Sequence, residues 1–308
     1  MDSSEIVLID MPEDVLTAIL NKCDFISILT LRKVCHLLRN FIDDVKPKSR
    51  LTSFLVHMNR DSAFLSLRNA EGYRSINYVS SENGTKCIVK LGQTEKAVVN
   101  ENFKNVFLRE LDKILQCQKT TLKCFEWKWE DRGGFTERNR EERMEEIKQF
   151  LENLEILLKN HQHPVEELIL NAQNLEEIMS VLPFINPRKL RKITIFNSFG
   201  NRNILSLADV VKLIQWKHAN EVAISSLFLV APIENFTHFS RIYVTFPSIC
   251  TRDLNKLKEA FLLSKTPTSY MFHFTDVDDR ANILNIWGPA SIEEDDYWSK
   301  KRILFRYT

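Results

Sequence analysis

Six cysteines, two neighbouring histidines and two acidic clusters are the residues of this sequence best suited to metal or nucleophilic chemistry. A zinc module such as a RING needs cysteines and histidines paired at short spacing. No two cysteines form a C-x-x-C pair, and His161 and His163 stand alone before Pro164. The acidic clusters, 276–279 and 293–296, lack the spacing and the glycine of an EF-hand loop. Solvated or internally hydrogen-bonded side chains are the favoured interpretation, and we expect no metal site.

Motifs for phosphate binding and for a serine nucleophile are also missing from the sequence. The chain has seven glycines, and Gly133-Gly134 is not followed by the Lys-Ser/Thr ending of a phosphate-binding loop. No serine lies in a G-x-S-x-G turn. The sequence therefore predicts a protein that is not an enzyme, with no catalytic residues and no cofactor.

The charge balance and hydropathy argue against two classes of partner. The chain carries 42 basic and 41 acidic residues, so no overall positive field attracts nucleic acid. Trp127-Lys128-Trp129 is a local hint of nucleic-acid binding, but a core position is favoured for Trp127. No apolar run reaches the length of a membrane span, and the N-terminus lacks a signal-peptide pattern. Six cysteines without regular spacing suit a reducing compartment, so we expect a cytoplasmic and/or nuclear protein.

The segment that begins with IDMPEDVLTAIL is the strongest candidate in this sequence for a partner-binding element. Asp10 and Glu13 have the spacing of a capping box, and Pro12 suits the first turn of a helix. An apolar stripe follows at Val15, Leu16, Ile19 and Leu20, and Asp24 offers a second cap. Further apolar residues recur at helical spacing to about Pro47, with a possible break near Cys35–His36. This is more aliphatic surface than a unit of about 40 residues needs for its own core. Either the helices pack on the rest of the chain, or their surplus face binds a partner.

Residues 11–43 resemble the F-box, a helical motif that binds a Skp-type adaptor of cullin–RING ubiquitin ligases. Met11-Pro12, the acidic pair Glu13-Asp14 and Val34-Cys35 match the family pattern without a gap. The resemblance implies an adaptor-binding surface that draws on ten residues: Met11, Pro12, Glu13, Leu16, Ile19, Leu20, Leu31, Val34, Cys35 and Leu38. Three positions depart from the pattern, because Met11 replaces leucine, Cys23 stands where leucine is usual, and Leu38 replaces an aromatic residue. The last two lose apolar volume, which bears on adaptor affinity more than on the fold.

Short β-prone runs follow from Leu51 to about Gly92, separated by turn-forming residues, and predict a small antiparallel meander. A helix is predicted from the apolar spacing between Phe103 and Leu115, and a second over about 139–159.

Beyond Thr121 an apolar-x-x-apolar-x-apolar pattern recurs five times, with helical segments between several instances. The instances are Leu122/Phe125/Trp127, Val165/Leu168/Leu170, Leu190/Ile193/Ile195, Ile224/Leu227/Leu229 and Phe239/Ile242/Val244. Strands alternating with helices favour parallel pairing. The pattern is that of a leucine-rich repeat, but its spacing is irregular. The predicted fold class is α+β or α/β: a three-helix N-terminal domain, a short β-meander, and an irregular leucine-rich-repeat-like α/β solenoid.

The same region resembles the FTH domain, which follows the F-box in a large family of nematode F-box A-like proteins. TLKCFEWKW, VEELIL and the segment from Leu182 to Leu190 carry the resemblance. It implies a substrate receptor that links a protein target to the ligase. We therefore divide the chain into an F-box (5–50), a β-rich connector (51–94), an FTH domain (95–280) and a C-terminal segment (281–308).

Strand parity predicts where a target would bind. If the repeated apolar residues face inward, their neighbours lie on the opposite face of the sheet. Apolar and aromatic residues beside arginine are typical of interfaces, and five such neighbours form the candidate substrate-binding set: Ile169, Phe196, Phe228, Arg241 and Tyr243. The alternative is that another part of the chain covers this face. An interaction scaffold that recruits no ligase is the second functional hypothesis, and the departures at Cys23 and Leu38 would favour it.

Overall fold

The computed structural model describes residues 8–48, 50–70, 72–81, 85–129, 140–160, 163–198, 203–264, 269–277, 291–295 and 300–304. The chain forms two compact units, Met1–Val165 and Glu166–Thr308. His161, Gly133-Gly134 and residues 278–279 of the first acidic cluster lie outside the described residues. None of the described helices is long and apolar enough to cross a membrane.

Three short helices open the first unit: α1 (Glu13–Leu20), α2 (Phe25–Val34) and α3 (His36–Val45). Asp24 caps α2 as predicted, since its Oδ1 accepts a hydrogen bond of 2.8 Å from the Ser27 amide. This bond is the main reason that the pKa of Asp24 lies below its ordinary value. The predicted capping box at Asp10 is wrong. α1 begins at Glu13 with Pro12 at its cap, so Asp10 falls in a preceding 3₁₀ turn, Leu8–Asp10, too early to cap the helix.

Cys35 separates α2 from α3, at the break that the sequence predicted. Its backbone is extended, with φ −154° and ψ 166°, so it ends one helix and caps the next. Its Sγ accepts a hydrogen bond of 3.4 Å from the Leu38 amide. One extended residue thus turns the chain between two helices without a loop.

Six strands of one sheet and two helices follow in the first unit. Its strands are β1 (Ser53–Met58), β2 (Ser62–Asn69), β3 (Gly72–Ser80), β4 (Lys86–Leu91), β5 (Thr94–Val99) and β6 (Leu122–Trp129). β1 to β5 pair antiparallel in chain order, while β6 lies parallel to β1. The four predicted β-prone runs are β1 to β4. The fifth strand extends the sheet beyond the predicted connector, to Val99.

Helices α4 (Phe103–Cys117) and α5 (Arg140–Lys159) match the two predicted helices. The apolar residues whose spacing predicted α4 are all buried: Phe103, Val106, Phe107, Leu111, Ile114 and Leu115. Aromatic rings join the helices to the sheet, with centroid distances of 5.6 Å from Tyr78 to Phe107 and 5.5 Å from Trp129 to Phe150. Trp127 is 3% exposed, so its predicted core position is confirmed.

The second unit alternates strands and helices. Its strands are β7 (Val165–Asn171), β8 (Lys192–Phe196), β9 (Asn203–Ser206), β10 (Glu221–Ser225), β11 (Leu227–Val230), β12 (Arg241–Ile249), β13 (Ser269–Val277), β14 (Ser291–Asp295) and β15 (Lys300–Leu304). Its helices are α6 (Leu175–Met179), α7 (Ile214–His218) and α8 (Thr251–Leu263). β7, β8, β10, β12 and β13 pair parallel in that order, as the alternation predicted. The architecture is mixed α/β.

The fourth repeat instance is not one strand, which corrects the sequence reading. β10 ends at Ser225, and Ser226 adopts a left-handed φ of 61°. Leu227 and Leu229 therefore belong to β11, which pairs with β9 in a separate two-stranded sheet. Phe228 also belongs to β11, so it does not share the sheet face with Phe196 and Tyr243.

The Leu-Pro-Phe-Ile segment is held by a buried side chain from α7. Gln215, 4% exposed, donates from Nε2 to the carbonyl oxygens of Pro183 (2.6 Å) and Ile185 (2.9 Å). A turn around proline leaves carbonyl groups without helix or sheet partners, and a buried carbonyl without a partner is costly. The amide of Gln215 supplies the missing donors.

Candidate docking surfaces

The ten predicted adaptor-binding residues divide between a core and a surface. Leu16, Leu20 and Leu38 are 3%, 0% and 4% exposed and form the core of the three helices with Ile28 and Ile42. Their side chains are directed at one another. These three residues affect a partner surface indirectly, because they fix the arrangement of the helices that form it.

The other seven residues of the set are exposed or partly buried. Pro12, Glu13 and Val34 are exposed, while Met11, Ile19, Leu31 and Cys35 are partly buried. The structure adds two exposed apolar residues that the predicted adaptor-binding set does not contain, Val15 at 41% and Leu37 at 66%. Leu37 lies beside the core residue Leu38, and consecutive residues of a helix point about 100° apart, so the burial of Leu38 does not bury Leu37.

An ion pair fixes α3 against α2. Arg32 donates from Nε and Nη2 to the two carboxylate oxygens of Asp43, at 2.5 and 2.7 Å. The bond from Arg32 is the main reason that the pKa of Asp43 lies below its ordinary value. Arg39 adds a bond of 3.2 Å to the Arg32 carbonyl oxygen. Bidentate arginine–carboxylate pairs restrict orientation as well as distance. This ion pair therefore holds the exposed Val34 and Leu37 in a defined arrangement at the junction of α2 and α3.

Comparison with known proteins identifies both parts of the chain. Residues 8–50 match the family model of the F-box domain, and residues 148–290 match that of the FTH domain. The chain therefore contains an F-box domain followed by an FTH domain. A Caenorhabditis elegans protein named F-box A protein 224 is 24% identical over an alignment of 309 positions, which covers 98% of this chain and 74% of that protein. The three N-terminal helices are thus the F-box. The FTH match begins within α5, later than the predicted boundary at residue 95.

Two departures from the F-box pattern lie against the F-box core. Leu38 belongs to that core, and Cys23 packs against it. The lost apolar volume therefore acts on the packing of the helices, and through it on the position of the exposed residues. The third departure, Met11, is partly buried at the start of α1.

The FTH sheet has one face whose residues lie in register across five strands. One row is Glu167, Lys192, Glu221, Arg241 and Ser269. The next, two residues further along each strand, is Ile169, Thr194, Ala223, Tyr243 and Met271. Phe196 lies in a third row, paired with Asn171 and Ser225. Four of the five predicted substrate-binding residues thus share this face, and Phe228 does not.

Exposure is concentrated at one end of this face. Tyr243 is 37% and Met271 40% exposed, and Arg241 is also exposed. Ile169 and Phe196 are partly buried. The residues of opposite parity, such as Leu168, Ile193 and Val244, are each 0% exposed. The predicted parity of β7, β8 and β12 is therefore confirmed.

The first row is a ladder of alternating charges. Lys192 Nζ lies 2.7 Å from Glu167 Oε1, and Arg241 Nη1 lies 3.4 Å from Glu221 Oε1. Lys192 has an acidic neighbour on both sides, whereas Arg241 has Glu221 on one side and Ser269 on the other. The side chain of Arg241 is 67% exposed. Its guanidinium group is the cation of this row with capacity for a further acceptor.

One carboxyl group of the FTH domain has an unusual proton affinity. Burial raises the pKa of Glu177 to about 7. Its Oε2 accepts a bond of 2.8 Å from the Gln173 amide, and its own amide donates to Asn174 Oδ1 at 3.0 Å. This reciprocal arrangement caps α6, so the group stabilises a helix start and is set apart from the sheet face.

Proposed function

We propose that this protein is the substrate-recognition subunit of an SCF-type cullin–RING ubiquitin ligase. The F-box docks a Skp-type adaptor and through it the ligase, and the FTH domain binds a protein target. F-box proteins are typically non-catalytic, and in this proposal the chain contributes binding and positioning while the ligase supplies the chemistry. Such a role belongs to the cytoplasm and/or the nucleus, with neither nucleic acid nor membrane as a partner.

The observation that carries the proposal is the pair of domains in one chain, an F-box with exposed apolar residues and an FTH domain behind it. Val34 and Leu37, each 66% exposed, flank the turn at Cys35. Large apolar side chains held outward by a fixed helix pair are typical of interfaces.

The FTH domain in this proposal is an irregular solenoid of the leucine-rich-repeat type. Five strands, β7, β8, β10, β12 and β13, pair parallel in chain order, and the chain returns through helices or 3₁₀ turns between them. That order supports a repeating layout in which one face of the sheet is left for a partner. The repeat spacing stays irregular, as the sequence predicts.

A scaffold that binds proteins without recruiting the ligase is the alternative. Cys23 favours it, because a thiol fills less of the F-box core than leucine would, and a looser core positions the adaptor surface less well.

The test measures binding of the full chain to a purified Skp-type adaptor. Val34→Asp with Leu37→Asp should weaken binding at least tenfold, since loss of one interface anchor costs about 1–2 kcal/mol or more. Lys33→Asp with Asn40→Asp, also at exposed positions of α2 and α3, is the matched control and should change affinity far less. Thermal unfolding checks that each variant is folded. Equal binding by both double variants would place the adaptor elsewhere, and no binding by the unaltered chain would favour the scaffold.

A further inference from the structure

The row Ile169–Thr194–Ala223–Tyr243–Met271 of the FTH sheet has its smallest side chain at its centre, and we expect a depression in the face at this position. Ala223 carries only a methyl group, and it lies between Thr194 on β8 and Tyr243 on β12. The ring of Tyr243 packs edge-on against His273, with centroids 5.1 Å apart, so its position is fixed before any partner arrives. A large apolar side chain can lie over Ala223 against this ring, and preorganised aromatic walls lower the entropic cost of binding.

A polar group within the same row lacks a partner. The Oγ1 atom of Thr194 is buried and makes no hydrogen bond to any of the residues that the structure describes. Such an atom is costly unless something supplies a donor or an acceptor. The backbone of a bound segment contains both, once a rotation about χ1 of Thr194 brings the hydroxyl to it.

Arg241 sets the charge that this face selects. It is two residues before Tyr243 on the same strand, and its side towards β13 has no acidic neighbour in the row. Residues i and i+2 of a strand point to the same side and lie about 7 Å apart. The available cation is therefore about 7 Å from the apolar depression, measured along the strand.

We propose that this face binds an extended segment of the protein target in which a large apolar residue and an acidic residue are separated by one residue. The apolar side chain lies over Ala223 beside Tyr243, and the carboxylate pairs with Arg241. The one-residue separation follows from geometry, because only side chains two apart in an extended segment point to the same side at this spacing. The inference rests on the proposed function, in which the FTH domain binds a protein target.

The experiment uses the full chain and an array of synthetic octapeptides of serine and glycine that carry one leucine and one glutamate. The two residues are adjacent, or separated by one or two residues, and in a parallel set lysine replaces glutamate. We expect the peptides with one intervening residue and glutamate to bind about tenfold more tightly than all others, as one charge-assisted pair allows.

A charge reversal distinguishes specific recognition from nonspecific binding. Arg241→Glu should invert the preference from glutamate to lysine peptides at the same spacing, which a misfolded protein cannot do. Ala223→Leu, which fills the depression, should weaken binding of every peptide. Arg188→Glu, an exposed arginine outside the face, is the control and should leave the preference unchanged. The proposal is overturned if no peptide binds, if spacing has no effect, or if Arg241→Glu leaves the preference as it was.

Adaptor binding by the same preparation separates this inference from the ligase role. Intact adaptor binding with no peptide selectivity rejects the docking chemistry and leaves the ligase role standing. Peptide selectivity without adaptor binding supports the docking chemistry and rejects the ligase role.

Discussion

At the scale of single residues, Thr194 has an environment that does not match its chemistry. Its buried Oγ1 has no hydrogen-bond partner within the described part of the chain, so replacing it with a methyl group removes a desolvation cost and breaks no described bond. Thr194→Val is expected to raise the free energy of unfolding by about 1 kcal/mol. Thr52→Val should lower it by a similar amount, because Thr52 Oγ1 donates to the Arg68 carbonyl oxygen at 3.2 Å. Denaturant unfolding measures both, and a loss of stability in Thr194→Val would contradict this account.

Glu177 gives the protein a pH-dependent stability with a defined sign. Burial raises its pKa to about 7 in the folded chain, from an ordinary value of 4.5. The folded state therefore holds this proton over a pH range in which the unfolded state has released it. Its stabilising contribution is complete below about pH 4.5 and is lost as the pH rises through 7, a change of at most about 3 kcal/mol.

Thermal unfolding of the wild type between pH 5 and pH 8 should show this loss. In Glu177→Gln the loss should be much smaller, because the amide keeps an acceptor for the Gln173 amide and does not ionise. Glu176→Gln, at the exposed neighbouring position, should retain the wild-type slope. An unchanged slope in Glu177→Gln would assign the pH dependence to another group.

At the scale of elements, the alternation of β8 predicts that substitutions at adjacent residues have unequal effects on stability. Ile193 is 0% exposed, while Lys192 lies on the opposite face. Ile193→Ala should cost about 2–5 kcal/mol through lost apolar burial and a residual cavity. Lys192→Ala should cost less than about 1 kcal/mol, since it removes one partly exposed ion pair. Chemical denaturation of both variants measures the two losses in the free energy of unfolding. Losses of similar size would contradict the parity of the strand.

Helix and strand positions in this chain could be predicted wherever the apolar spacing was local. The six buried residues of α4 repeat at helical spacing, and the inward residues of β6, β7 and β8 alternate. Two errors have local causes that the pattern does not show. The left-handed Ser226 divides one apparent strand into two, and Pro12 starts α1 too late for Asp10 to cap it.

The candidate surfaces were harder to predict than the elements. An apolar stripe shows that a helix packs on something, but it does not show which of Leu16, Val15 or Leu37 faces outward. That choice depends on how the helices meet, which Arg32, Asp43 and Cys35 decide. The charge ladder of the FTH sheet joins residues far apart in the chain, so its register is visible only in the folded structure.

At the scale of the whole molecule, the F-box shares a compact unit with the sheet that follows it. Phe25 is 2% exposed but is not part of the F-box core, and it borders a cavity of about 380 Å³ with Leu51 and Leu67. Without the sheet this ring is exposed to water, at a cost of about 1.5–3 kcal/mol. That is a large fraction of the stability that a unit of about 40 residues can have.

The isolated segment 6–47 is therefore expected to show little helix and no cooperative melting by circular dichroism. The fragment 1–165 should melt cooperatively. Cooperative melting of the short segment would show that the F-box needs no support, whereas the expected result means that adaptor binding is best measured on the longer fragment or the full chain.

The ribbon of β9 and β11 has a consequence for how the FTH domain opens. Among the described strands, each of these two has four residues and pairs with the other alone, while β8 and β10 each pair on both sides within the sheet. Amide hydrogens of the ribbon can exchange with solvent after the loss of a few hydrogen bonds. Those of β8 and β10 exchange only after a much larger opening of the sheet. The left-handed Ser226 thus joins a slowly exchanging strand to a rapidly exchanging one within two residues.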